Sequence, residues 1–425
     1  MSRELDTKRK KTSGSRSTGS RSNGSRTNGS RTSAERISGD RSTGHRTSDQ
    51  RSTGHRTSDQ RSTSRRTSDQ RSTGHRNSGN RTPKRKKAKM VTFAVEALIL
   101  VVLLAVLYVI NRTERLSKVN FDKKVVEQSV NDLTEETLET MEKYTNIALF
   151  GLDTRQAGSL GKGNRSDTIM IASIDNKTKD VKIVSVYRDS YLNLANDKYR
   201  KCNEAYSIGG PDQAVAMLNM NLDLKIDYYM SVDFLAVSEV VDLMGGIDID
   251  VDEYEIEHLN NYTVETSKVT GKKTTKLKST GLQTLDGVQA TSYCRIRYTK
   301  GDDFKRTERQ REVLETIANK AKTLSPTKLD EIVKAVFPMC ATNMTVDQLL
   351  SIAADGLSYN IVETSGFPFD LVADSVGSAG SCVIPKDMEA NVAQLHELLY
   401  NETDYAPSAK VKEISDRIKN DTGVY

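Results

Sequence analysis

Residues 146-NIALFGLDTR-155 and 165-RSDTIMIASIDNKTKDVKIVSVYRD-189 contain three apolar, β-rich runs in close succession. The runs are Asn146–Leu152, Thr168–Ile174 and Val181–Val186, and they are bounded by charged or polar segments. The polar DNKTKD segment between the second and third runs predicts a β-hairpin. We therefore expect the folded body to begin at Asn146, with these strands at its centre.

Apolar periodicity further along the chain alternates between helices and strands. Helical spacing covers Pro211–Leu222 and Phe234–Met244, and strand-like runs cover Tyr228–Val232 and Ile247–Val251. This alternation predicts an α/β layered domain. The Lys/Thr-rich stretch Asp252–Thr280, centred on Gly271, predicts an inserted surface hairpin. Further helices are expected near Arg306–Leu324, Thr327–Val336, Val346–Ala354 and Met388–Tyr400.

The 425-residue chain consists of two bodies with opposite net charge. Residues 1–89 hold 25 of the 63 Lys+Arg and 7 of the 57 Asp+Glu, a net charge of +18, which leaves 38 basic against 50 acidic residues in the remainder. The second body, with a net charge of −12, contains only two of the five histidines, His258 and His396. Catalysis that depends on histidine is therefore not expected there.

Between the two bodies lies Val91–Ile110, VTFAVEALILVVLLAVLYVI, in which Glu96 is the one charge. Twenty helical residues span about 30 Å, the thickness of a bilayer core, although a buried core helix is the alternative. Basic residues immediately before the span place the N-terminus in the cytoplasm. We predict an uncleaved signal anchor at 90–110, an extracellular stalk helix at 111–145, a folded external domain at 146–402 and a C-terminal tail at 403–425, hence a single-pass protein of the cell membrane.

The tail before the span carries a five-residue repeat, with arginine at every fifth position from Arg16 to Arg81, fourteen in all. Its apolar content cannot offset the entropy cost of ordering, so residues 1–89 are expected to be disordered. A solvated segment is the ordinary interpretation of such a charge run. More specific interpretations are attraction to anionic lipid, to nucleic acid or to an acidic cytoplasmic protein. Among these partners, we do not expect nucleic acid.

Charged residues in the external body gather where predicted strands end. Asp153-Thr154-Arg155 follows the first run, Arg165-Ser166-Asp167 precedes the second, and Arg188-Asp189 follows the third. Arg295-Ile296-Arg297 and Asp303–Gln310 come later. One Arg-Asp pair is usually a surface ion pair, but five such segments at element ends indicate a ligand site. Converging arginines suit a pyrophosphate, and carboxylates beside it require a divalent cation, Mg²⁺ or Mn²⁺.

Seven motifs, in order, resemble the LytR-CpsA-Psr family: GLDTR, RSDTIMIASID, SVYRDSYL, NEAYSIGG, VDLMGGIDIDV, LDGVQATSYCRIRY and DDFKRTERQR. The resemblance extends from Asn146 to about Tyr400 and implies a mixed β-sheet flanked by helices, with a hydrophobic pocket for a polyprenyl chain. Tyr187 departs from the pattern, because the family often has proline there. The basic stretch around Gly271 and the repeat tail have no counterpart that we can map.

The resemblance implies an enzyme of Gram-positive cell envelopes that moves a glycopolymer from a polyprenyl diphosphate carrier onto peptidoglycan. Matched residue by residue, Asp153 and Asp167 would hold the metal ion. Gln310, Arg155 and Asp303 would support substrate binding, and Asp189 would orient Arg188 or, as a second option, accept the hydroxyl proton. The arginines that would face the pyrophosphate or orient its neighbours are Arg165, Arg188, Arg295, Arg297, Arg306 and Arg309.

The charges suit phosphoryl transfer, in which an acceptor hydroxyl attacks the phosphorus nearer the sugar and polyprenyl phosphate leaves. Two other functions remain open. One is a polyprenyl diphosphate glycan pyrophosphatase, with water as the acceptor. The other is a non-catalytic protein that binds polyprenyl-linked glycans while its tail recruits partners.

Two further predictions concern an apolar channel for the polyprenyl chain and the oxidation state of the cysteines. Candidates for the channel, each of which could equally be ordinary core, are Ile171, Val184, Val186, Phe234, Leu235, Val237 and Val241. All four cysteines lie on the external side, where disulfides persist. We predict the pairs Cys202–Cys294 and Cys340–Cys382, with free buried thiols as the alternative.

Overall fold

A computed structural model describes residues 119–154, 159–297 and 302–425. The helices in these ranges are α1 (Lys123–Glu127), α2 (Glu135–Met141), α3 (Glu204–Gly209), α4 (Pro211–Leu222), α5 (Phe234–Leu243), α6 (Glu253–Thr270), α7 (Gly287–Tyr293), α8 (Asp302–Ala321), α9 (Pro326–Val336), α10 (Val346–Ala354), α11 (Met388–Tyr400) and α12 (Ala409–Thr422). The strands are β1 (Tyr144–Leu152), β2 (Ser166–Asp175), β3 (Asp180–Val186), β4 (Tyr191–Asn193), β5 (Tyr199–Lys201), β6 (Tyr228–Asp233), β7 (Ile247–Val251), β8 (Gly281–Leu285), β9 (Cys340–Thr342), β10 (Asn360–Phe367), β11 (Leu371–Val376) and β12 (Gly380–Pro385).

The centre of the fold is a mixed sheet with the strand order β10-β3-β2-β1-β6-β9. Strand β2 is antiparallel to both β1 and β3, with Ile171 opposite Ala148 and Val184, which confirms the predicted hairpin. Strand β6 runs parallel to β1, and β10 runs parallel to β3. Helices cover both faces, so the expected mixed α/β architecture is confirmed.

Alternation along β1 and β2 divides their side chains between the two faces of the sheet. Phe150 and Ile171 are buried in the main core, against residues of α4, α11 and α12. Leu149 and Met170 face the opposite side, towards α8. Because both faces are covered by helices, these strands are apolar at nearly every position.

A smaller core lies beside the sheet, formed by the antiparallel pair β7–β8 together with α6, α7 and part of α8. The surface hairpin predicted over Asp252–Thr280 is wrong, because most of this stretch is α6. A capping box stabilises its first turn, where Asp252 accepts from the N3 backbone and Glu255 accepts from the Asp252 N–H. Gly271, with φ of 70°, ends the helix in the left-handed conformation.

Both ends of the domain differ from the sequence expectations. The described part of the stalk contains two short helices, α1 and α2, instead of one long helix. The segment 403–425, expected to be a tail, contains α12, whose Val411, Ile414 and Ile418 are buried in the main core. The anchor at 90–110 and the basic tail lie outside the described residues, and no helix within the described ranges is long and apolar enough to span a bilayer.

The four cysteines are free in the described structure, so both predicted disulfides are wrong. Cys202 and Cys382 belong to the main core, Cys340 packs with α5 and α9, and Cys294 follows α7. The Cys202 thiol donates instead to the carbonyl oxygens of Tyr187 and Arg188, at 3.2 and 3.3 Å. In each predicted pair, Cys202–Cys294 and Cys340–Cys382, the two cysteines lie in different core clusters. This separation is why neither disulfide forms.

Candidate active site

Two adjoining cavities lie where β1 ends and β2 begins. The first, which we call the charged cavity, has a volume of about 210 Å³ and is lined by Asp153, Asp167, Phe234, Tyr262, Cys294, Arg295, Arg297, Arg306 and Gln310. It brings together residues from six different segments of the chain. Four of these, which contain Asp153, Asp167, Arg295 with Arg297, and Arg306 with Gln310, are among the charged segments expected to form a ligand site. Both predicted metal ligands, Asp153 and Asp167, are among them.

The second, which we call the apolar cavity, has a volume of about 210 Å³ and lies between the sheet and helices α5, α7 and α8. Met170, Met230, Val237, Leu314 and Ile317 are among its lining residues, and it shares Phe234, Cys294 and Gln310 with the charged cavity. Gly151 lies in its wall, where a Cβ would come within 2.9 Å of the Thr168 Cβ. The two cavities therefore form adjoining charged and apolar spaces.

Two of the seven predicted channel residues, Phe234 and Val237, line the apolar cavity. Ile171, Val184 and Val186 are instead buried in the main core on the other face of the sheet, and Val241 lies in the smaller core. Leu235 does not line this cavity either. The prediction selected the wrong face of β2, because both faces of this strand carry apolar residues.

Arg188 connects several carboxylates at the edge of the charged cavity. Its Nη1 donates to Asp167 Oδ1 at 2.7 Å, and its Nε lies 3.5 Å from Asp303 Oδ2 and 3.6 Å from Asp189 Oδ2. Burial alone would lower the pKa of Arg188, but Asp167, Asp189 and Asp303 together outweigh it and raise the pKa. Arg188 is therefore held fully charged in the site.

Asp189 and Asp303 share a hydrogen bond, but their pKa values are shifted in opposite directions. Burial raises the pKa of Asp189, and the hydrogen bond to Asp303 adds to the rise, although Arg188 and Lys201 oppose it. Burial would also raise the pKa of Asp303, but Arg306 and Arg188 outweigh it and hold that pKa below its usual value. Asp303 is thus the ionised member, and Asp189 is the carboxyl that takes up a proton more readily.

Arg306 is the most deeply buried arginine side chain of the charged cavity, with 3% exposed. Its Nη1 lies 3.1 Å from Asp303 Oδ1, yet none of its three nitrogens makes a geometrically satisfactory hydrogen bond with the described residues. Burial lowers its pKa to about 10, and the neighbouring Arg188 and Arg297 contribute to the decrease. A buried guanidinium without acceptors is costly unless an anion supplies them.

Arg295 and Arg297 enter the cavity from the segment after α7. The Arg295 guanidinium lies over the rings of Phe234 and Tyr262, at 5.2 and 5.5 Å from their centroids, and Nη2 pairs with Glu265 at 3.0 Å. Arg297 Nη2 lies 3.6 Å from Asp167 Oδ2. Arg295 is therefore fixed by stacking, and Arg297 faces the carboxylate that Arg188 also contacts.

The remaining predicted residues occupy different positions. Arg309 does not line the charged cavity: its Nε pairs with buried Glu255 at 2.6 Å, and its Nη1 donates to the Ile296 carbonyl at 3.1 Å, so it orients the Arg295–Arg297 segment. Gln310 donates to the Cys294 carbonyl at 3.3 Å and leaves its buried Oε1 without a hydrogen bond. The side chain of Arg165 is exposed, while its carbonyl accepts from the Asp153 N–H at 3.4 Å. Arg155 lies outside the described residues.

The donor set can be tested against a metal ion from its chemistry. The described residues contain no cluster of three His, Cys, Asp or Glu side chains arranged for a metal. Two carboxylates in one cavity fit Mg²⁺ or Mn²⁺ when the substrate's phosphate oxygens and water complete the coordination. Asp153 and Asp167 therefore fit an ion that binds together with a phosphorylated ligand.

Sequence reasoning did not identify the contribution of α6. Tyr262 lines the charged cavity, Glu265 and Thr266 contact Arg295, and Glu255 holds Arg309. These residues were hidden because the segment was interpreted as a surface hairpin. The Asp-x-x-Glu capping pattern at Asp252–Glu255 was the available signal for the helix.

Comparison with known proteins gives consistent matches. The model of the LytR_cpsA_psr family matches residues 106–394. A polyisoprenyl-teichoic acid–peptidoglycan teichoic acid transferase of Enterococcus faecalis, TagU, is 31% identical over 236 residues, which are 53% of this chain and 72% of that protein. TagV of Bacillus subtilis, which carries the same transferase name, is 29% identical over 227 residues, 52% of this chain and 55% of that protein, so this match spans about half of the relative.

The fold also matches a solved structure. The crystal structure of the Streptococcus agalactiae protein gbs0355 aligns with a TM-score of 0.53 and 22% sequence identity, covering 64% of this chain and 92% of that one. At this identity the similarity concerns the fold alone. It agrees with the mixed sheet flanked by helices described above.

Proposed function

This chain belongs to the LytR-CpsA-Psr family, and on that premise we propose that it transfers a glycopolymer from a polyprenyl diphosphate carrier to peptidoglycan, releasing polyprenyl phosphate. One observation carries the proposal. A cavity lined by several arginines, including the buried Arg306, directly adjoins an apolar cavity. A polyprenyl diphosphate has the same two parts, a charged diphosphate and an apolar chain.

Each cavity suits one part of the donor. Arg295, Arg297 and Arg306 would supply hydrogen bonds and positive charge to the diphosphate. Met170, Val237 and Ile317 would cover the first isoprene units with apolar surface. Phe234 and Gln310 line both cavities and would lie at the junction between diphosphate and lipid.

The reaction breaks the phosphoanhydride bond of the diphosphate and forms a phosphoester bond to the acceptor. A hydroxyl oxygen of the acceptor bonds to the phosphorus nearer the sugar, the bond from that phosphorus to the bridging oxygen breaks, and polyprenyl phosphate leaves with the bonding electrons. The hydroxyl proton passes to a base. Arg188, Arg297 and Arg306 would neutralise charge on the phosphoryl oxygens as it redistributes, which is the main source of rate in phosphoryl transfer.

The Asp189–Asp303 pair would position Arg188, and its two carboxyl groups differ in proton affinity. Asp303, held ionised by Arg306 and Arg188, would keep both guanidinium groups in place. Asp189, with its raised pKa, would be able to take up a proton near the site. Its first role in this proposal is to orient Arg188, and proton acceptance is the alternative.

Asp153 and Asp167 would hold Mg²⁺ or Mn²⁺ in the charged cavity. When bound, such an ion supplies positive charge to phosphate oxygens and so reduces repulsion between the diphosphate and the aspartates. Arg188 and Arg297, which contact Asp167, would fix the orientation of that carboxylate.

We further propose that the chain is anchored in the cell membrane by residues 90–110, with the basic tail in the cytoplasm and the described domain outside. This arrangement would deliver the lipid-linked donor and the peptidoglycan acceptor to the same side. The arginine repeat would bind anionic lipid or an acidic cytoplasmic protein.

The decisive test incubates the full chain, in detergent, with a polyprenyl diphosphate glycan and follows release of polyprenyl phosphate with and without peptidoglycan. A transferase releases it in an acceptor-dependent way. Equal release without acceptor would indicate the pyrophosphatase, and no release under either condition would indicate a binding protein.

A further inference from the structure

The described domain has one stretch of chain in which positive charge is not balanced by nearby acids. Between Glu265 and Asp286 there is no Asp or Glu, and the stretch contains five lysines: Lys268, Lys272, Lys273, Lys276 and Lys278. We call residues 268–278 the lysine segment. It is basic on an otherwise acidic body, because the chain beyond residue 89 has a net charge of −12.

Four of these lysines have no acidic partner among the residues that the structure describes. Lys272 alone is paired, with Glu239 at 2.6 Å and Asp242 at 2.7 Å, and this holds the start of the segment against α5. Lys268, Lys273, Lys276 and Lys278 are exposed. Their charge is therefore available to an external anion.

The segment is fixed along its length. Leu277 exchanges two hydrogen bonds with the Asn260 side chain of α6, at 2.9 and 3.0 Å, and is packed against the smaller core. Gln289 of α7 donates to the Thr275 carbonyl at 2.8 Å. A backbone held in this way presents its lysines at defined positions, so less conformational entropy is lost on binding.

The helices that hold the segment also build the charged cavity. Asn260 of α6 holds Leu277, and Glu265 and Thr266 of the same helix contact Arg295 of the charged cavity. Lys268, three residues beyond Glu265, is its neighbour on the surface of α6. Lys273 to Lys278 covers at most about 17 Å of chain, enough to meet several charges of an extended polymer. A polymer bound by its diphosphate end thus has a cationic surface nearby.

We propose that the lysine segment binds the anionic backbone of the transferred glycopolymer, at phosphate or carboxylate groups beyond the reacting diphosphate. The inference rests on the proposed function, and it adds a second binding site that would favour charged over neutral polymers. An anionic membrane surface is the competing partner, since Leu282, four residues beyond Lys278, is 73% exposed. The position of the segment on the cavity helices favours the polymer.

Residue-resolved lysine acetylation tests the proposal in the full chain, held in neutral detergent. The probe is a lipid-free poly(glycerol phosphate) oligomer, and mass spectrometry follows acetylation of Lys268, Lys273, Lys276 and Lys278. Lys143, Lys177, Lys198 and Lys412 are matched controls, because they are also exposed and have no ion pair within the described ranges. We expect at least about threefold slower acetylation of the segment, reversed by salt, and no change at the controls.

Equal protection of both sets would overturn the proposal. So would protection of the segment by nanodiscs of anionic, but not neutral, phospholipid in the absence of the oligomer, which would assign it to a membrane surface. This assay requires no turnover, so its outcome is independent of the transferase proposal.

A kinetic comparison gives a second readout. The Lys273→Gln/Lys276→Gln/Lys278→Gln variant should raise KM for a long anionic donor at least fivefold more than KM for a donor with one neutral disaccharide. The control variant Lys177→Gln/Lys198→Gln/Lys412→Gln should change the two KM values equally. Equal changes in the segment variant would contradict the proposal, whereas absence of turnover with either donor would contradict the proposed function instead.

Discussion

Asp167 Oδ1 accepts a 2.7 Å hydrogen bond from Arg188 Nη1, across 21 residues of chain. The contact joins a proposed metal ligand to a proposed phosphate ligand, and both side chains are largely buried. Each therefore fixes the geometry of the other, so a change at either residue should impair both functions of the cavity.

Replacing either aspartate should abolish metal-dependent turnover. Asp153→Ala and Asp167→Ala each remove one of the two carboxylates proposed to hold the ion, and Asp167→Ala also removes a partner of Arg188. Turnover is measured as polyprenyl phosphate release over a range of Mg²⁺ concentrations. Asp416→Ala, at an exposed position on α12, is the control and should behave as wild type. Normal turnover by the Asp167→Ala enzyme would refute the metal assignment.

Arg188→Lys should be nearly as damaging as Arg188→Ala. Lysine keeps the charge but cannot reproduce the planar fork that reaches Asp167 and Asp303 together. We expect kcat/KM to fall at least about 100-fold in both variants, equivalent to about 2.7 kcal/mol. Arg200→Lys, which alters an exposed arginine paired with Glu204, should remain within about twofold of wild type. Substantial activity of the Arg188→Lys enzyme would indicate that a positive charge at this position is sufficient for turnover.

Replacing Asp303 or Asp189 by asparagine should have opposite effects on the free energy of unfolding at pH 7. Because the folded pKa of Asp303 is lowered, its stabilising contribution is present above the unfolded pKa of about 3.9 and is lost as pH falls through the folded pKa. Asp303→Asn should therefore destabilise the protein at pH 7. The raised pKa of Asp189 has the opposite sign, so Asp189→Asn should be at least as stable as wild type at pH 7, with the difference disappearing at low pH.

Urea unfolding at pH 7 and at a series of pH values below 4 measures both effects. The two carboxamide variants should differ clearly in unfolding free energy at pH 7 and converge as the pH falls below the folded pKa of Asp303. If Asp189→Asn proved the less stable variant at pH 7, the assignment of the ionised member would be reversed.

The cysteines should behave as free thiols that ionise little near neutral pH. Burial raises the pKa of Cys294 and of Cys340 to about 12, so neither thiol should ionise appreciably at pH 8. Alkylation of the native protein should be slow, and all four cysteines should be alkylated in denaturant without reductant. Two or more cysteines that stay unmodified in denaturant until a reductant is added would show that disulfides form after all.

The sequence was informative where one physical signal dominated. Pro211–Leu222, Ile247–Val251 and Met388–Tyr400 have the predicted bounds, because turn residues and apolar spacing coincide there. Helix α6 was missed because the prediction treated Asp252–Thr280 as one Lys/Thr-rich stretch, although four of its five lysines follow Gly271, and because the capping box at Asp252 was overlooked. In that prediction, the composition of the stretch was given more weight than the residues that mark the start and the end of a helix.

The site was predictable in its charges but not in its apolar part. Motif spacing brought Asp153, Asp167 and Arg297 to one cavity, because residues at adjacent strand ends and the following helices converge. The lining of the apolar cavity could not be deduced, since Met170 and Ile171 are equally apolar neighbours on opposite faces of β2. Arg309 illustrates the same limit: only the fold reveals that its partner is Glu255, 54 residues earlier.

The most direct test of the transferase account follows the phosphorus atom itself. A polyprenyl diphosphate glycan labelled with ³²P at the phosphorus nearer the sugar is incubated with the full chain and peptidoglycan. Label should accumulate in the peptidoglycan fraction in step with the release of unlabelled polyprenyl phosphate, and the Asp167→Ala enzyme should show neither. Label that remains in soluble sugar phosphate despite the presence of peptidoglycan would contradict the account.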